Sequence, residues 1–143
     1  MAVAASMATT AAPDWRWQGT ADRIDIDLVQ ADVRIVESPG EPSVRIRGEG
    51  PDAGAVTFTV MSAEGVTHIR DRYPDRGRWS RECLPPADER GDFWAYPIRL
   101  KVIVAVRPGT RLRIRVMRGN IHATGVGGPL DLGSGDGIVD RGR

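Results

Sequence analysis

The chain has a single cysteine, Cys83, and two histidines, His68 and His122, among its 143 residues. One cysteine cannot form an internal disulfide, so cysteine usage does not indicate an oxidising compartment. A zinc site needs three or four Cys or His ligands at suitable spacing, and these three residues show no such spacing. We therefore predict no metal site and no cofactor, and an ordinary unpaired thiol at Cys83 is favoured over a reactive one.

Long apolar segments are also missing. No stretch approaches the ~20 apolar residues that cross a bilayer as a helix, so no membrane span is predicted. Residues 1–14 are rich in Ala and Thr, but no Lys or Arg precedes their weak apolar run. They therefore make a poor signal peptide, and we expect a flexible N-terminal leader there.

Helical periodicity is the third absence. No segment keeps apolar residues at i, i+3, i+4 and i+7, whereas apolar and polar residues alternate with a period of two from Trp15 onward. The longest alternating run extends from Ile98 to Val106, and another follows from Leu112 to Val116. Such alternation is typical of strands with one buried face, so we predict an all-β chain with essentially no helix.

One long segment interrupts the alternation. Residues 70–97 are polar and rich in Arg, Asp and Pro, and they include the aromatic residues Trp79 and Trp94. Loops of this length are uncommon in compact domains and often carry function. Trp79 and Trp94 could stack on sugar rings, although such aromatic side chains more often anchor a loop to the core.

In the last quarter of the chain, Gly, Asn or Asp flank single apolar residues. Ile121, Leu130 and Ile138 stand in this context, nine and eight residues apart. Short strands joined by tight turns give such spacing, one coil after another. We predict an antiparallel β body that runs into a short Gly-turn β-solenoid at residues 119–143, within a single β domain of residues 15–143. The last coil should present an open strand edge, through which the chain could form a homo-oligomer.

These patterns give the chain a family resemblance. Val106-Arg107-Pro108-Gly109-Thr110 follows a Val-rich strand, and Gly119-Asn120-Ile121 follows an alternating one. In these residues, and in the Ser-Gly-Asp-Gly turn at 134–137, the chain resembles the bacterial putative adhesin, or β-strand-repeat, family of unknown function. The resemblance implies a β-roll or β-helix at the cell envelope or outside the cell, with adhesion as the expected role. It implies no catalytic residue.

Positive and negative charges nearly cancel, but they are unevenly placed. Residues 1–65 hold five basic and ten acidic side chains, and residues 66–143 hold fifteen basic and nine acidic ones. With a formal net charge of +1, the overall charge does not favour nucleic acid as a partner. The asymmetry directs attention to the basic half instead.

Basic residues concentrate on two predicted strands with no acid among them. If these strands pair as antiparallel neighbours, their outward side chains lie about 5 Å apart and form one patch. Such a patch would attract an anionic glycan or another anionic polymer. Alternatively, acids of the other half, such as Asp25, Asp27 and Glu37, neutralise it. The candidate anion-binding residues are Arg99, Lys101, Arg111, Arg113 and Arg115.

Motifs of known chemistry are incomplete. Ser134 lies between adjacent glycines, but a nucleophile elbow needs one residue between Ser and each Gly, and then a helix. Calcium-binding β-rolls need repeated carboxylates on stacked turns, whereas the chain has one imperfect copy. Asp25 and Asp27 are expected on the solvated face of a strand, which does not raise a carboxyl pKa as glycoside hydrolysis requires.

The sequence thus favours a non-enzymatic interaction module without an assigned catalytic residue. Its expected partner is an unknown protein or a surface polymer. Binding of an anionic glycan or polymer is the first alternative, and a small hydrolase is a weaker one.

Overall fold

A computed structural model describes residues 4–6, 14–49, 56–72 and 99–141 of the chain. These residues form eleven strands and no helix, so the all-β prediction is confirmed for them. In the same residues, no helix is long and apolar enough to cross a membrane. The strands are β1 (Ala4–Ser6), β2 (Asp14–Gln18), β3 (Arg23–Glu37), β4 (Ser43–Glu49), β5 (Thr57–Ala63), β6 (Val66–Arg72), β7 (Arg99–Val106), β8 (Arg111–Arg118), β9 (Ile121–Ala123), β10 (Leu130–Asp136) and β11 (Val139–Asp140).

β3 is the centre of the fold, because each of its halves pairs on both sides. Its first half, 23–30, lies between β6 and β8, and its second half, 31–37, lies between β7 and β9. The strands divide into two layers that share β3. The first layer has the order β1-β5-β6-β3-β8-β10, and the second has the order β2-β4-β7-β3-β9-β11.

The sheet is mixed, and the predicted antiparallel body is wrong in this respect. β6, β7, β8 and β9 are all parallel to β3, while β10 is parallel to β8 and β11 is parallel to β9. Among the described strands, the antiparallel pairs are β1–β5, β5–β6, β2–β4 and β4–β7. Alternation did not reveal the direction of pairing, because side chains alternate between faces in parallel and antiparallel strands alike.

The two layers curl over one core, and the result resembles a half-barrel. β3 bends where the consecutive residues Leu28 and Val29 are both buried, so the inward residues change from even to odd numbers. The two layers meet through the rings of Trp15 on β2 and Phe58 on β5, whose centroids are 5.0 Å apart. The buried apolar side chains of both layers form a single cluster. The core therefore lies between the layers, and each layer has one outer face.

Three levels stack in constant register: β3, then β8 with β9, then β10 with β11. In the first layer, Leu112 lies opposite Ile24, and Leu130 lies opposite Leu112. In the second layer, Ile121 lies opposite Val33, and Val139 lies opposite Ile121. Residues 112 and 130 are eighteen apart, as are residues 121 and 139. The nine- and eight-residue gaps in the sequence thus separate alternate layers, not successive levels.

Glycine is required at the corner where a level passes from the first layer to the second. Gly119 has a φ of +137°, and a Cβ atom there would overlap the carbonyl oxygen of Ala31 in the level below. Gly137 is one level further on, with a φ of +156°, and a Cβ there would overlap the carbonyl oxygen of Gly119. A residue without a side chain avoids both the clash and the strained conformation.

Hydrogen bonds link the levels at the same corner. The backbone amide of Asn120 donates to Oδ1 of Asp32 at 3.1 Å. The amide of Ile138 donates in turn to Oδ1 of Asn120 at 2.9 Å. On each level, the side-chain oxygen at this position, from Asp32 or Asn120, therefore holds the backbone of the next level. It accepts a hydrogen bond from an amide group that the bend would otherwise leave without a partner.

Part of the sequence prediction lies outside the described residues. β6 continues to Arg72, so residues 70–72 are strand, and the remainder of the predicted 70–97 loop is not described. Trp79, Trp94 and Cys83 belong to that remainder. Within the predicted leader, Ala4–Ser6 form β1, which pairs with β5.

Candidate functional site

The structure divides the predicted basic patch between the two layers. β7 and β8 are consecutive, but the turn at 107–110 carries the chain from the end of the second layer to the start of the first. Each strand pairs with a different half of β3, and the two do not pair with each other. Arg99 and Lys101 therefore lie on the second layer, whereas the first layer holds Arg111, Arg113 and Arg115.

On the outer face of the first layer, acidic residues alternate with basic ones from strand to strand. Asp25 of β3 lies between His68 of β6 and Arg113 of β8. Asp131 of β10 lies opposite Arg113. The contacts are close, with His68 Nε2 3.1 Å from Asp25 and an Arg115 guanidinium nitrogen 2.7 Å from Asp131. Asp25 thus lies beside Arg113, as in the neutralising alternative that the sequence left open, but the acid that pairs with Arg113 and Arg115 is Asp131, from the same half of the chain.

Asp25 departs from the sequence expectation, because it is 4% exposed and not solvated. The guanidinium of Arg23 donates to both of its oxygens, at 2.7 and 3.2 Å, and His68 lies against it. Glu37, another expected neutralising acid, instead accepts a hydrogen bond from the amide of Gly127 at 2.7 Å. Of the three acids, Asp25 and Asp27 lie beside the arginines of β8, and Glu37 holds a turn.

A shallow depression of about 250 Å³ opens on this face, lined in part by Arg23, Arg111 and Asp131. A hydrogen bond from Arg115, together with the charges of Arg115 and Arg113, lowers the pKa of Asp131. A hydrogen bond to Asp25 raises the pKa of Arg23. Both shifts keep the groups charged at neutral pH, which is opposite to the shift that general acid–base catalysis uses. The depression is therefore lined by groups that stay charged at neutral pH.

On the second layer, Arg99 and Lys101 share one carboxylate. Oδ2 of Asp32 is 2.8 Å from the Arg99 guanidinium and 3.8 Å from the Lys101 ammonium. Partial burial acts to raise the pKa of Asp32, but the Asn120 amide and the two cations outweigh it, so the pKa is lowered. Asp32 is thus ionised at neutral pH, and it ties both cations to the corner.

A row of arginines that the sequence pattern did not predict crosses the same layer. Arg16 of β2 lies opposite Arg45 of β4, and Arg45 lies opposite Ile103 of β7. Ile103 lies opposite Arg34 of β3. Arg45 pairs with Asp14 at 3.4 Å, whereas the side chains of Arg16 and Arg34 form no hydrogen bond or ion pair with a described residue. We call Arg16, Arg45, Ile103 and Arg34 the arginine row.

No local signal could have identified the arginine row. Arg16, Arg34 and Arg45 belong to three strands and lie in the half of the chain with more acids than bases. Only the register of β2, β4, β7 and β3 brings them into one line.

Histidine and acidic side chains also meet on the last two levels of the second layer. His122 lies on the outward side of β9, between the buried residues Ile121 and Ala123. Its Nδ1 is 3.3 Å from Asp140 of β11. In the part of the chain that the structure describes, no three or more His, Cys, Asp or Glu side chains are grouped to hold a metal ion.

Comparison with known proteins does not give a family for the chain. No protein family model matches it, and no curated protein matches it. A solved structure of a putative cell adhesion protein from Clostridium sporogenes aligns with 88% of the chain, at 8% identity and a TM-score of 0.48. A putative adhesin from Bacteroides fragilis aligns with 89%, at 12% identity and a TM-score of 0.48. The chain spans 57% and 51% of the lengths of these two structures.

Proposed function

We propose that the chain is a non-enzymatic, adhesin-like interaction module of β-solenoid type that acts at the cell envelope or outside the cell. The observation that carries the proposal is the eighteen-residue offset between the second and third levels, which is the same in both layers. A repeated offset is expected of coils that stack on one another. Repeat proteins of this kind use their extended surfaces for binding.

The corner supports the solenoid part of the proposal. Gly119 and Gly137 occupy the same position on successive levels, and each lies against the backbone below it. Asp32 and Asn120 repeat the same side-chain-to-amide hydrogen bond. These are the contacts that allow one coil to serve as the template for the next. The adhesive role and the envelope location follow from the sequence resemblance.

A second candidate function is the binding of an anionic glycan or polymer through the basic face of β8. Arg111, Arg113 and Arg115 follow one another on its outward side, and Arg111 forms no ion pair with a described residue. The acids of β3 and β10 reduce the positive potential of Arg113 and Arg115. This candidate therefore depends most on Arg111 and the depression beside it.

An adhesion assay tests the proposed role. Beads coated with the chain would be passed over surfaces coated with peptidoglycan, an acidic polysaccharide, a neutral glucan or a serum protein. We expect the beads to be retained on at least one surface, and retention on none would contradict the proposal. Beads coated with the Gly119→Leu variant are the control for folding, because its side chain would overlap the carbonyl oxygen of Ala31 at the corner.

A further inference from the structure

The arginine row places like charges side by side on the second layer. Neighbouring strands are about 4.8 Å apart, so Arg16 and Arg45 are adjacent, and Arg34 lies two strands beyond Arg45. Like charges that face each other across a strand pair destabilise a sheet. In the first layer, Asp25 of β3 lies between the basic residues His68 and Arg113, but in the second layer the residue between Arg45 and Arg34 is Ile103 of β7. Within the row, Arg45 has the acidic partner Asp14, whereas the charges of Arg16 and Arg34 are not compensated by any described residue.

Further cations lie beside the row, and the nearest acids are already engaged. Arg47 of β4 lies opposite Lys101 of β7, two residues along from Arg45 and Ile103. Asp14 pairs with Arg45, and Asp32 pairs with Arg99 and Lys101. Arg47 forms no ion pair with a described residue. The outer face of β2, β4, β7 and β3 therefore has an excess of exposed guanidinium groups around the row.

The centre of the row is apolar and lies between two depressions. Ile103 is 47% exposed and is the apolar member of an otherwise basic line. A depression of about 290 Å³ lies on the side of Arg34 and His122, and one of about 390 Å³ lies on the side of Arg16 and Arg45. A ligand that fits this surface has an apolar face for Ile103 and acidic groups on both sides of it.

We propose that the arginine row binds a linear acidic polysaccharide that lies across the strands. Carboxylates of successive sugars pair with Arg16, Arg45 and Arg34, and the apolar face of a sugar ring rests on Ile103. Guanidinium groups suit this role because they bind carboxylates through two parallel hydrogen bonds. The inference rests on the proposed interaction role, but it uses a different face from that of Arg111, Arg113 and Arg115.

The described side chains favour a polysaccharide over a single-stranded nucleic acid. Proteins that bind single strands combine a basic groove with aromatic rings on which the bases stack. The outward centre of the arginine row is aliphatic, and Trp15 and Trp17 of β2 pack against the core. Bases would find charge on this face but no stacking platform among the described residues.

Two triple variants provide the test, because each removes the same positive charge from a different face. One changes Arg16, Arg34 and Arg45 to Gln, and the other changes Arg111, Arg113 and Arg115 to Gln. Binding of polygalacturonate would be measured by biolayer interferometry at several NaCl concentrations, after circular dichroism has confirmed folding. We expect the row variant to bind at least about tenfold more weakly. The decrease of the log association constant with log salt should become less steep, by about 2 units of slope. The β8 variant should keep its affinity within about threefold, since its arginines already face acids.

Other outcomes would overturn the inference. Equal losses in both variants would show that net charge alone attracts the polymer, and a loss confined to the β8 variant would assign binding to that strand. Equal binding of neutral dextran, or stronger binding of a single-stranded oligonucleotide, would contradict the ligand class. If the unmodified chain binds no polygalacturonate while its beads are still retained on another surface, the inference fails and the proposed role survives.

Discussion

The outer faces of the two layers show that neighbouring strands, and not local charge density, decide whether an arginine is available. β8 has the densest run of basic residues, yet its Arg113 and Arg115 are half-buried between acids of β3 and β10. Arg16 and Arg34 come from the acidic half of the sequence, yet both are exposed and form no ion pair with a described residue. One face is therefore neutralised within the fold, and the other keeps a charge that a ligand can neutralise.

Both faces depend on the same corner, so a change at Gly119 should have the largest effect. Gly119→Leu places a side chain against the carbonyl of Ala31 at a φ of +137°. We expect it to lower the free energy of unfolding by more than about 3 kcal/mol, or to prevent folding. Urea denaturation followed by circular dichroism would measure the change, and binding at both faces should be lost together.

Gly125→Ala is the matched control for the corner variant. Gly125 also has a positive φ, +68°, but a Cβ there meets nothing within 4 Å. Its cost should be about 1 to 2 kcal/mol, from backbone strain alone. Equal destabilisation by the two variants would show that the contact between levels at the corner is unimportant.

The corner also shows how far the sequence determines this fold. Alternation identified the inward residues of β7 and β8 correctly, because burial of one face leaves its mark on every second residue. The Gly-Asn pair at 119–120 revealed a turn, but not that the turn stacks on Ala31 and Asp32, eighty-eight residues earlier. Parallel pairing was missed for the same reason: nothing local distinguishes a partner so distant in the chain from the next strand.

Two isoleucines on opposite sides of the sheet sharpen the comparison. Ile114 points into the core of the first layer and is 0% exposed, whereas Ile103 points outward from the second and is 47% exposed. Ile114→Ala should cost about 2 to 5 kcal/mol, because it leaves a cavity in a packed core. Ile103→Ala should cost less than about 0.5 kcal/mol. Thermal and urea unfolding of the two variants would check this, and a large cost at Ile103 would give it a structural role in place of a binding one.

Asp32 is the paired acid of the second layer, and its effect should appear at low pH. Its pKa in the folded chain is below the ordinary value of 3.8, so protonation favours the unfolded chain. Its contribution is complete above that value and is lost as the pH falls through the lower folded pKa. Asp32→Asn keeps an oxygen for the Asn120 amide but loses the ion pairs with Arg99 and Lys101.

The Asp32→Asn variant should be less stable by about 1 kcal/mol or less at neutral pH, and the gap should close below about pH 4. Urea midpoints measured across the acid range would show this. Asp14→Asn is the comparison, because Asp14 is more exposed and only 3.4 Å from its partner. A gap for Asp32→Asn that widens in acid would contradict the assignment.

The site was harder to predict than the fold. The reason is again that the residues that meet there are far apart in the sequence. The β8 arginines stood out because they are consecutive outward residues of one strand. Their neutralisation by Asp25 and Asp131, and the alignment of Arg16 with Arg45 and Ile103, both depend on register between strands. A charge pattern within one segment carries no information on what lies opposite.

The smallest expected effect on stability comes from placing an acid between the basic residues on the outer face of the second layer, as the first layer already has. Ile103→Glu places a carboxylate between Arg45 and Arg34, as Asp25 lies between His68 and Arg113. If the arginines of the row repel one another, this change should raise the free energy of unfolding of the free chain by about 0.5 kcal/mol. It should still abolish binding of polygalacturonate. Met61→Glu is the control, because Met61 is an outward, 60% exposed residue of the first layer that faces His68. It should leave polysaccharide binding intact, so equal losses in the two variants would mean that added negative charge, and not the occupation of the row, prevents binding.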